Sequence, residues 1–279
     1  MSKRGKIILF ITVLFIIFLF GIYDVYISYS KITITNHSIT TNKINNFINL
    51  VIISDLHDNQ LGENNKDLID NINFLSPDMV LIVGDMLNKD SKNSNTVTNL
   101  MKQLCKNYKV FYSLGNTEKN YIEARTSNLV EELENLGVTV LDDEYKDVNV
   151  NGNIIRIGGI YDYAFDTKKY TQDFLSKFED TDNYKIMLAH RPDSFIFNNV
   201  TKDWNIDLVV SGHTHGGQVV LPFAGGLYAA EQGWFPKYDK GLFDFDDTKI
   251  LITSGLGSGK EILPRFNNTP EVVDLKLCE

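Results

Sequence analysis

The sequence predicts an α/β domain, helices packed over sheets, carried behind an N-terminal membrane-spanning helix. Three observations predict it. From about residue 46 onward, short Val- and Ile-rich runs alternate with helical patterns, and such alternation sets helices against sheets. An apolar stretch without charge runs from Ile7 to Tyr23, and roughly 17–25 such residues cross a bilayer as a helix. The composition, 43% hydrophobic and 23% charged, is that of a folded globular chain.

Lys3, Arg4 and Lys6 precede the apolar stretch; basic flanks stay on the cytoplasmic side, which sends the remainder outward. No A-x-A-like site comes after it, and the stretch is long for the apolar part of a signal peptide. Residues 1–23 are therefore expected as an uncleaved transmembrane anchor, with a cleaved signal or a buried core helix as the other readings. The chain is expected in the cell membrane, single-pass, with its domain extracytoplasmic. Residues 24–46, polar and β-branched, read as a linker or an edge strand, and 47–279 as one domain. Within it 50–54, 79–83, 109–113, 154–160, 185–189, 207–211 and 249–254 read as strands, short and bounded by turn residues. Helical patterns fall near 65–75, 95–107, 119–136 and 171–178. Asn151-Gly152, between two extended runs, predicts a hairpin.

Formal net charge is −9. Without the three basic residues before the apolar stretch, 24 basic residues face 36 acidic ones, a net −12. Nucleic acid is a poor partner for such a chain, because its binding relies on Lys and Arg neutralising phosphates. An anionic substrate must be drawn by a local positive feature such as a metal ion. Cys105 and Cys278 are the only cysteines, too few for a disulfide framework or a cysteine-rich zinc site.

The residues just past the strands carry the chemistry. Asp55 and His57 come after 50–54, Asp85 after 79–83, Asn116 after 109–113, His190 after 185–189, and His213 and His215 after 207–211. Ligands of α/β sheets bind beyond the carboxyl ends of strands. Gly84, Gly115 and Gly212 stand immediately before ligand candidates, where glycine permits close backbone approach. In extended backbone the i, i+2 pairs Asp55/His57 and His213/His215 leave on one face, and two facing pairs could hold one ion or two. Four of the five histidines lie in this series, with His37 elsewhere. Nitrogen and oxygen donors without thiolate favour Mn²⁺, Zn²⁺, Fe or Ni²⁺.

With "SDLH", "VGDM", "LGNTE", "LAHRP" and "SGHTHGGQ" in hand, the chain resembles the calcineurin-like metallophosphoesterases. The likeness runs over about residues 48–277, and the tail is similar to the membrane-associated bacterial branch of YkuE- and YaeI-like proteins. The resemblance implies a four-layer α-β-β-α sandwich holding two divalent metal ions, Mn²⁺ the first candidate. It implies Asp55, His57 and His215 on one ion, Asn116, His190 and His213 on the other, and Asp85 between them. Two ions about 3.5–4 Å apart acidify a shared water, and that hydroxide is expected to attack phosphorus in line with the leaving oxygen. The expected reaction is hydrolysis of a phosphodiester or pyrophosphate in a phosphorylated small molecule or lipid at the membrane or envelope.

One departure matters. The family places His after the Gly-Asn pair, where it serves the leaving group; here stands Thr117, with Glu118 next to it. Threonine is a poor acid. Thr117, Glu118, Asp85, Asn116 and His213 are the catalytic candidates, with Glu118 or an outlying histidine as a substitute acid. A catalytically weak metal-binding protein that recognises a phosphorylated envelope component is the alternative. Arg191 and Arg265 are read as phosphate contacts or surface ion pairs. Phe223, Tyr228, Trp234, Phe235 and Tyr238 are read as packing beneath a long loop, or as a lipid- or glycan-facing lid.

Overall fold

The computed structural model describes residues 2–161, 172–197, 202, 204–259 and 263–279. It contains two six-stranded sheets face to face. The first runs in the order β1 (Thr33–Thr40), β16 (Glu271–Cys278), β2 (Ile48–Ile53), β3 (Met79–Val83), β4 (Lys109–Ser113), β5 (Val138–Leu141). The second runs β14 (Gly241–Phe245), β15 (Thr248–Ile252), β9 (Leu208–Ser211), β8 (Tyr184–Ala189), β7 (Asn153–Ile160), β6 (Glu144–Val150).

Helices cover both outer faces. Leu50 and Ile52 of β2, with Met79, Leu81 and Val83 of β3, point inward against Ile186, Leu188, Leu208 and Val210 of the other sheet. Their neighbours Val51, Ile53, Val80 and Ile82 point outward onto α2 (Lys66–Leu75), α3 (Asn95–Leu104) and α5 (Leu129–Asn135). Met187, Val209, Ile250 and Ile252 meet Phe174 and Phe178 of α6 (Gln172–Glu179) in the same way. Strands buried on both faces need apolar side chains at every position, which is why they read as unbroken runs. The architecture is the expected four-layer α-β-β-α sandwich.

β2, β3 and β4 are mutually parallel, as are β7, β8, β9 and β15. Two groups of carboxyl ends therefore open toward a common cleft. The predicted hairpin joins β6 to β7, with Asn151 (φ 51°) and Gly152 (φ 83°) both left-handed, the backbone a two-residue turn of this type requires. The helical pattern over 119–136 is two helices, α4 (Asn116–Arg125) and α5, because the chain turns left-handed at Thr126 (φ 50°). The helical pattern over 171–178 is α6, and residue 171 lies outside the described residues.

The N-terminal boundaries differ from the sequence reading. The apolar helix α1 (Lys3–Ser30) continues past Tyr23 and is long and apolar enough to cross a bilayer. Its exposed stretch ends where the domain begins: Ser28 is fully buried, Arg265 N–H donates to Tyr29 Oη (3.2 Å), Asn59 Nδ2 donates to Tyr29 O (3.3 Å) and Asn268 N–H donates to Ser28 Oγ (3.3 Å). Thr33–Thr40, read as part of a 24–46 linker or an edge strand, forms β1, the edge strand of the first sheet, and pairs in parallel with β16. The alternating polarity that made this segment resemble a linker is that of an edge strand with one covered face. Cys105 and Cys278 are free thiols.

Candidate metal centre

All seven predicted ligands converge where the carboxyl ends of β2, β3, β4, β8 and β9 meet. Asp55, His57 and His215 bring one potential ligand atom each within 4.8 Å of one another, and Asp85, His190 and His213 do the same. The two groups touch. Asp85 Oδ2 lies 3.2 Å from His190 Nε2 and 3.8 Å from His57 Nε2, and Asp55 Oδ1 lies 3.7 Å from His215 Nε2 and 3.9 Å from His190 Nε2. Asp85 thus stands between the groups.

Three histidines are aimed by their outer nitrogens. His190 Nδ1–H donates to the Val83 carbonyl (2.7 Å), while His57 Nδ1 faces Asn88 Oδ1 (3.2 Å) and His215 Nδ1 faces the Gly257 carbonyl (3.3 Å). A carbonyl behind one nitrogen fixes the tautomer and leaves Nε2 as a lone-pair donor toward the centre. His213 is turned the other way, its Nε2 bound to Glu231 Oε2 at 3.1 Å. The carboxylates are divided similarly. Asp55 Oδ2 accepts from Ser54 Oγ (2.6 Å) and His213 N–H (3.2 Å), and Asp85 Oδ1 accepts from Thr117 N–H (2.9 Å). The other oxygen of each faces inward.

Backbone geometry corrects one part of the sequence reading. Asp55 (φ 52°), His57 (φ 49°), His213 (φ 67°) and His215 (φ 49°) are not extended; they and Asp85 (φ 53°) occupy the left-handed region. The strands end before them, and tight turns aim each side chain separately. His213 and His215 therefore serve different groups. Such conformations are costly for residues with a Cβ and gather where function fixes them. Close approach also explains the glycines. A Cβ on Gly115 would lie 2.2 Å from Asp85 Oδ1, and one on Gly212 2.2 Å from Ser54 Oγ.

The charge balance favours ionised carboxylates. Burial by itself raises the Asp55 and Asp85 carboxyls, but His215 and His190 beside Asp55, and His190 and His57 beside Asp85, outweigh it and hold both far below the usual range. Burial lowers His190, yet Asp85 and Asp55 carry it up to about 10. Asp55 Oδ1, Asn116 Oδ1 and His190 Nε2 are buried without a hydrogen-bond partner among the described residues. Bare buried polar atoms cost free energy, and three aimed at one spot fit a cation. The donor set, four imidazoles, two carboxylates and an amide oxygen, fits divalent metal.

The centre opens into a cavity of about 780 Å³, lined among others by Asn88, Lys89, Thr117, Asn120, Tyr228, Trp234 and Leu263. Within residues 48–217 the chain matches the model of the calcineurin-like phosphoesterases. The chain belongs to this family. It is 32% identical over 216 residues to the uncharacterised metallophosphoesterase Cj0846 of Campylobacter jejuni, covering 75% of this chain and 54% of that protein. It is 29% identical to the uncharacterised metallophosphoesterase YkuE of Bacillus subtilis, over 90% of this chain and 87% of YkuE. It is 30% identical to Escherichia coli phosphodiesterase YaeI, over 72% of this chain and 70% of YaeI. The chain therefore spans about half of the Campylobacter relative and most of the other two. Membership, together with the two ligand groups, supports a phosphoesterase-type hydrolase centre that binds divalent metal.

Glu118 is not a substitute acid. It is fully buried beneath Asp85, accepting from the backbone N–H groups of Asp85 (2.8 Å), Met86 (2.6 Å) and Gly115 (2.9 Å) and from Tyr112 Oη (2.8 Å). Thr117 does line the cavity, but its hydroxyl donates to the Leu87 carbonyl at 2.6 Å. Arg265, expected at phosphate or surface, is fully buried among backbone carbonyls. Arg191 reaches Glu231 at 3.3 Å. Sequence reasoning missed Glu231 and Asn88. Asn88 lies three residues beyond Asp85 and is findable by proximity, whereas Glu231 is one acid in a loop with no spacing to mark it.

Proposed function

We propose that this chain is a dinuclear metal-dependent phosphoesterase that hydrolyses a phosphodiester or pyrophosphate bond in a membrane or cell-envelope substrate. One observation carries the reading: seven side chains from five strand ends gather at one place, where Asp55 Oδ1, Asn116 Oδ1 and His190 Nε2 lie buried without a hydrogen-bond partner among the described residues. Asp55, His57 and His215 would hold one divalent ion, Asn116, His190 and His213 the second, and Asp85 would touch both. Ions held there supply positive charge for phosphoryl oxygens and lower the pKa of water. Mn²⁺ is the first candidate. The centre keeps about two positive charges after Asp55 and Asp85 are counted, so a phosphate is attracted locally despite the acidic domain.

The protein's own residues set the rest. Val83, Asn88 and Gly257 hold the imidazoles in register, Glu118 clamps the turn that presents Asp85, and Thr117 N–H holds Asp85 Oδ1. No acid stands at Thr117, since its hydroxyl proton is committed to Leu87. A leaving group that departs readily as an anion needs no proton, which favours a phosphoanhydride over an alkyl diester. The same observation supports the alternative of a catalytically weak binder of a phosphorylated envelope component. α1 is read as an uncleaved single-pass anchor with the domain extracytoplasmic.

The test uses the full chain in detergent with Mn²⁺, Zn²⁺, Fe²⁺ or Ni²⁺ added, bis-p-nitrophenyl phosphate as substrate, and metal content by mass spectrometry. Two ions per chain and turnover lost in Asp85→Asn are expected. Two ions without turnover would favour the weak binder, and fewer than one ion per chain would end the metal-centre assignment.

A further inference from the structure

The cavity rim carries large apolar side chains that the domain leaves uncovered. Tyr228 of β12 (Tyr228–Ala229), Trp234 of β13 (Gly233–Trp234) and Leu263 line the cavity and are exposed, and the flanking loop exposes Phe223, in the turn between β10 (Val220–Leu221) and β11 (Gly225–Gly226), and Phe235, next to Trp234 in the chain. The predicted aromatic cluster is thereby split, because Tyr238 packs on the rings of Phe243 and Phe245. Phe223 (φ 69°) and Phe235 (φ 54°) both hold left-handed backbone, which suits Gly or Asn and is an outlier for a bulky residue. Folding in water explains neither phenylalanine well: Phe223 gains no burial, Phe235 stays more than half exposed, and both sit in a conformation they disfavour. An exposed aromatic held in such backbone points to a role outside the fold.

Their attachment to α1 names what covers them. The uncharged stretch of α1 ends at Tyr23 and Asp24 is its first acidic residue, which sets the bilayer surface near this level. Asn267 N–H donates to Asp24 Oδ2, and Asn267 Nδ2 donates to the Val220 carbonyl at 3.1 Å. Val220 opens β10, three residues before Phe223. The rim hairpin is thus tied to the helix at the height where the helix leaves the bilayer. Aromatic rings are enriched at that level of membranes, with an apolar body in the acyl boundary and a polar edge in the headgroups. Lys237 and Lys240, exposed next to Phe235, suit anionic headgroups.

Resting on the phosphoesterase reading, we propose that the Phe223–Phe235 rim is a lip seated in the headgroup layer of the leaflet that α1 enters, and that the cavity draws its substrate sideways from that leaflet as a phosphorylated lipid. Tyr228, Trp234 and Leu263 line the same cavity as His213 and His215. They form an apolar wall along which a lipid tail lies while its phosphoryl group reaches the centre.

The chain has two tryptophans, and they report on this directly. Trp204 is 3% exposed and packed edge-on against Phe195, whereas Trp234 is 66% exposed. The full chain is reconstituted into phosphatidylcholine–phosphatidylglycerol nanodiscs, with and without a lipid spin-labelled near the headgroup. Emission of Trp234 is taken as the difference between the wild type and Trp234→Phe, which leaves Trp204 untouched. The lip predicts at least about twofold quenching of that difference by the spin-labelled lipid, and protection from acrylamide. Quenching by acrylamide but not by the labelled lipid overturns it.

A second arm uses Phe223→Asn with Phe235→Asn, since Asn accepts left-handed backbone. Turnover of the soluble aryl diester should stay within about twofold while turnover of a nanodisc-borne lipid pyrophosphate falls about tenfold. An equal fall in both, or in neither, counts against the lip. The fluorescence arm needs no turnover, so failure of the phosphoesterase reading shows as absent hydrolysis with quenching intact.

Discussion

Replacing Arg265 with lysine tests whether the end of α1 and the metal centre share one support. Arg265 is fully buried and reaches six acceptors. Nε donates to Asn268 O (2.9 Å), Nη1 to Ser254 O (2.8 Å) and Gly257 O (2.7 Å), and Nη2 to Asn268 Oδ1 (3.2 Å), Thr269 O (3.2 Å) and Gly255 O (3.4 Å). A lysine ammonium has three protons at one point on a shorter reach, so at least three acceptors lose their partner. Each loss is worth about 1–1.5 kcal/mol, which puts Arg265→Lys about 3–5 kcal/mol below the wild type. At about 2–4 °C per kcal/mol for a domain of this size, the apparent Tm falls by roughly 10 °C. The effect extends to the centre, because Asn268 Nδ2 donates to the His215 carbonyl (2.7 Å) and Gly257 O faces His215 Nδ1. The assay is fluorescence-monitored melting of the full chain in detergent, with metal content after dialysis. A variant that melts within about 2 °C of the wild type and keeps both ions refutes the reasoning.

Glu231→Gln removes the carboxylate behind His213 Nε2. Such supports are worth about 10–100-fold in metal affinity, and the partly exposed Glu231 belongs near the low end. Calorimetric titration should show one of two ion affinities weakened and the other retained. Thr117→His restores an acid at the cavity wall and should raise alkyl phosphodiester turnover about 100-fold while leaving aryl diesters unchanged; equal effects on both would show that protonation does not limit the rate. Asp193 is buried, and burial together with the nearby Glu231 pushes its carboxyl up to about 7. A raised carboxyl contributes stability present below the ordinary carboxylate range and lost as pH rises through about 7. Asp193→Asn should therefore stabilise the protein at pH 8 by up to about 4 kcal/mol, with the gain shrinking toward pH 4. Melting at both pH values checks it, and a gain independent of pH contradicts it.

Much of this was legible because the carriers are local. Strands buried on both faces write continuous apolar runs, and each ligand stands within a few positions of the end of such a run, so Asp55, Asp85, Asn116, His190 and His213 could be found without coordinates. The aim of those side chains could not. The Asp55/His57 and His213/His215 pairs suggested extended backbone, and left-handed turns do the aiming instead. Arg265 looked like a surface residue in "PRFNN" because its partners are backbone carbonyls, which leave no trace in residue identity. Glu118 was misread for a related reason: its partners are mainly N–H groups of the turns around it. Thr33–Thr40 could be read only as linker or edge strand, because its partner strand, β16, lies more than two hundred residues away.

That last pairing has a consequence for how the molecule is made. β1 is the first strand after α1, yet the strand it pairs with, β16, lies more than two hundred residues further along the chain and is wedged between β1 and β2. β1 must wait, unpaired, until residues 271–278 have been made. Long-range closure of this kind is slow and leaves edges prone to wrong pairings. Clipping the chain before Glu271 would leave both β1 and the facing edge of β2 without a partner, so β16 is the clasp that closes this sheet.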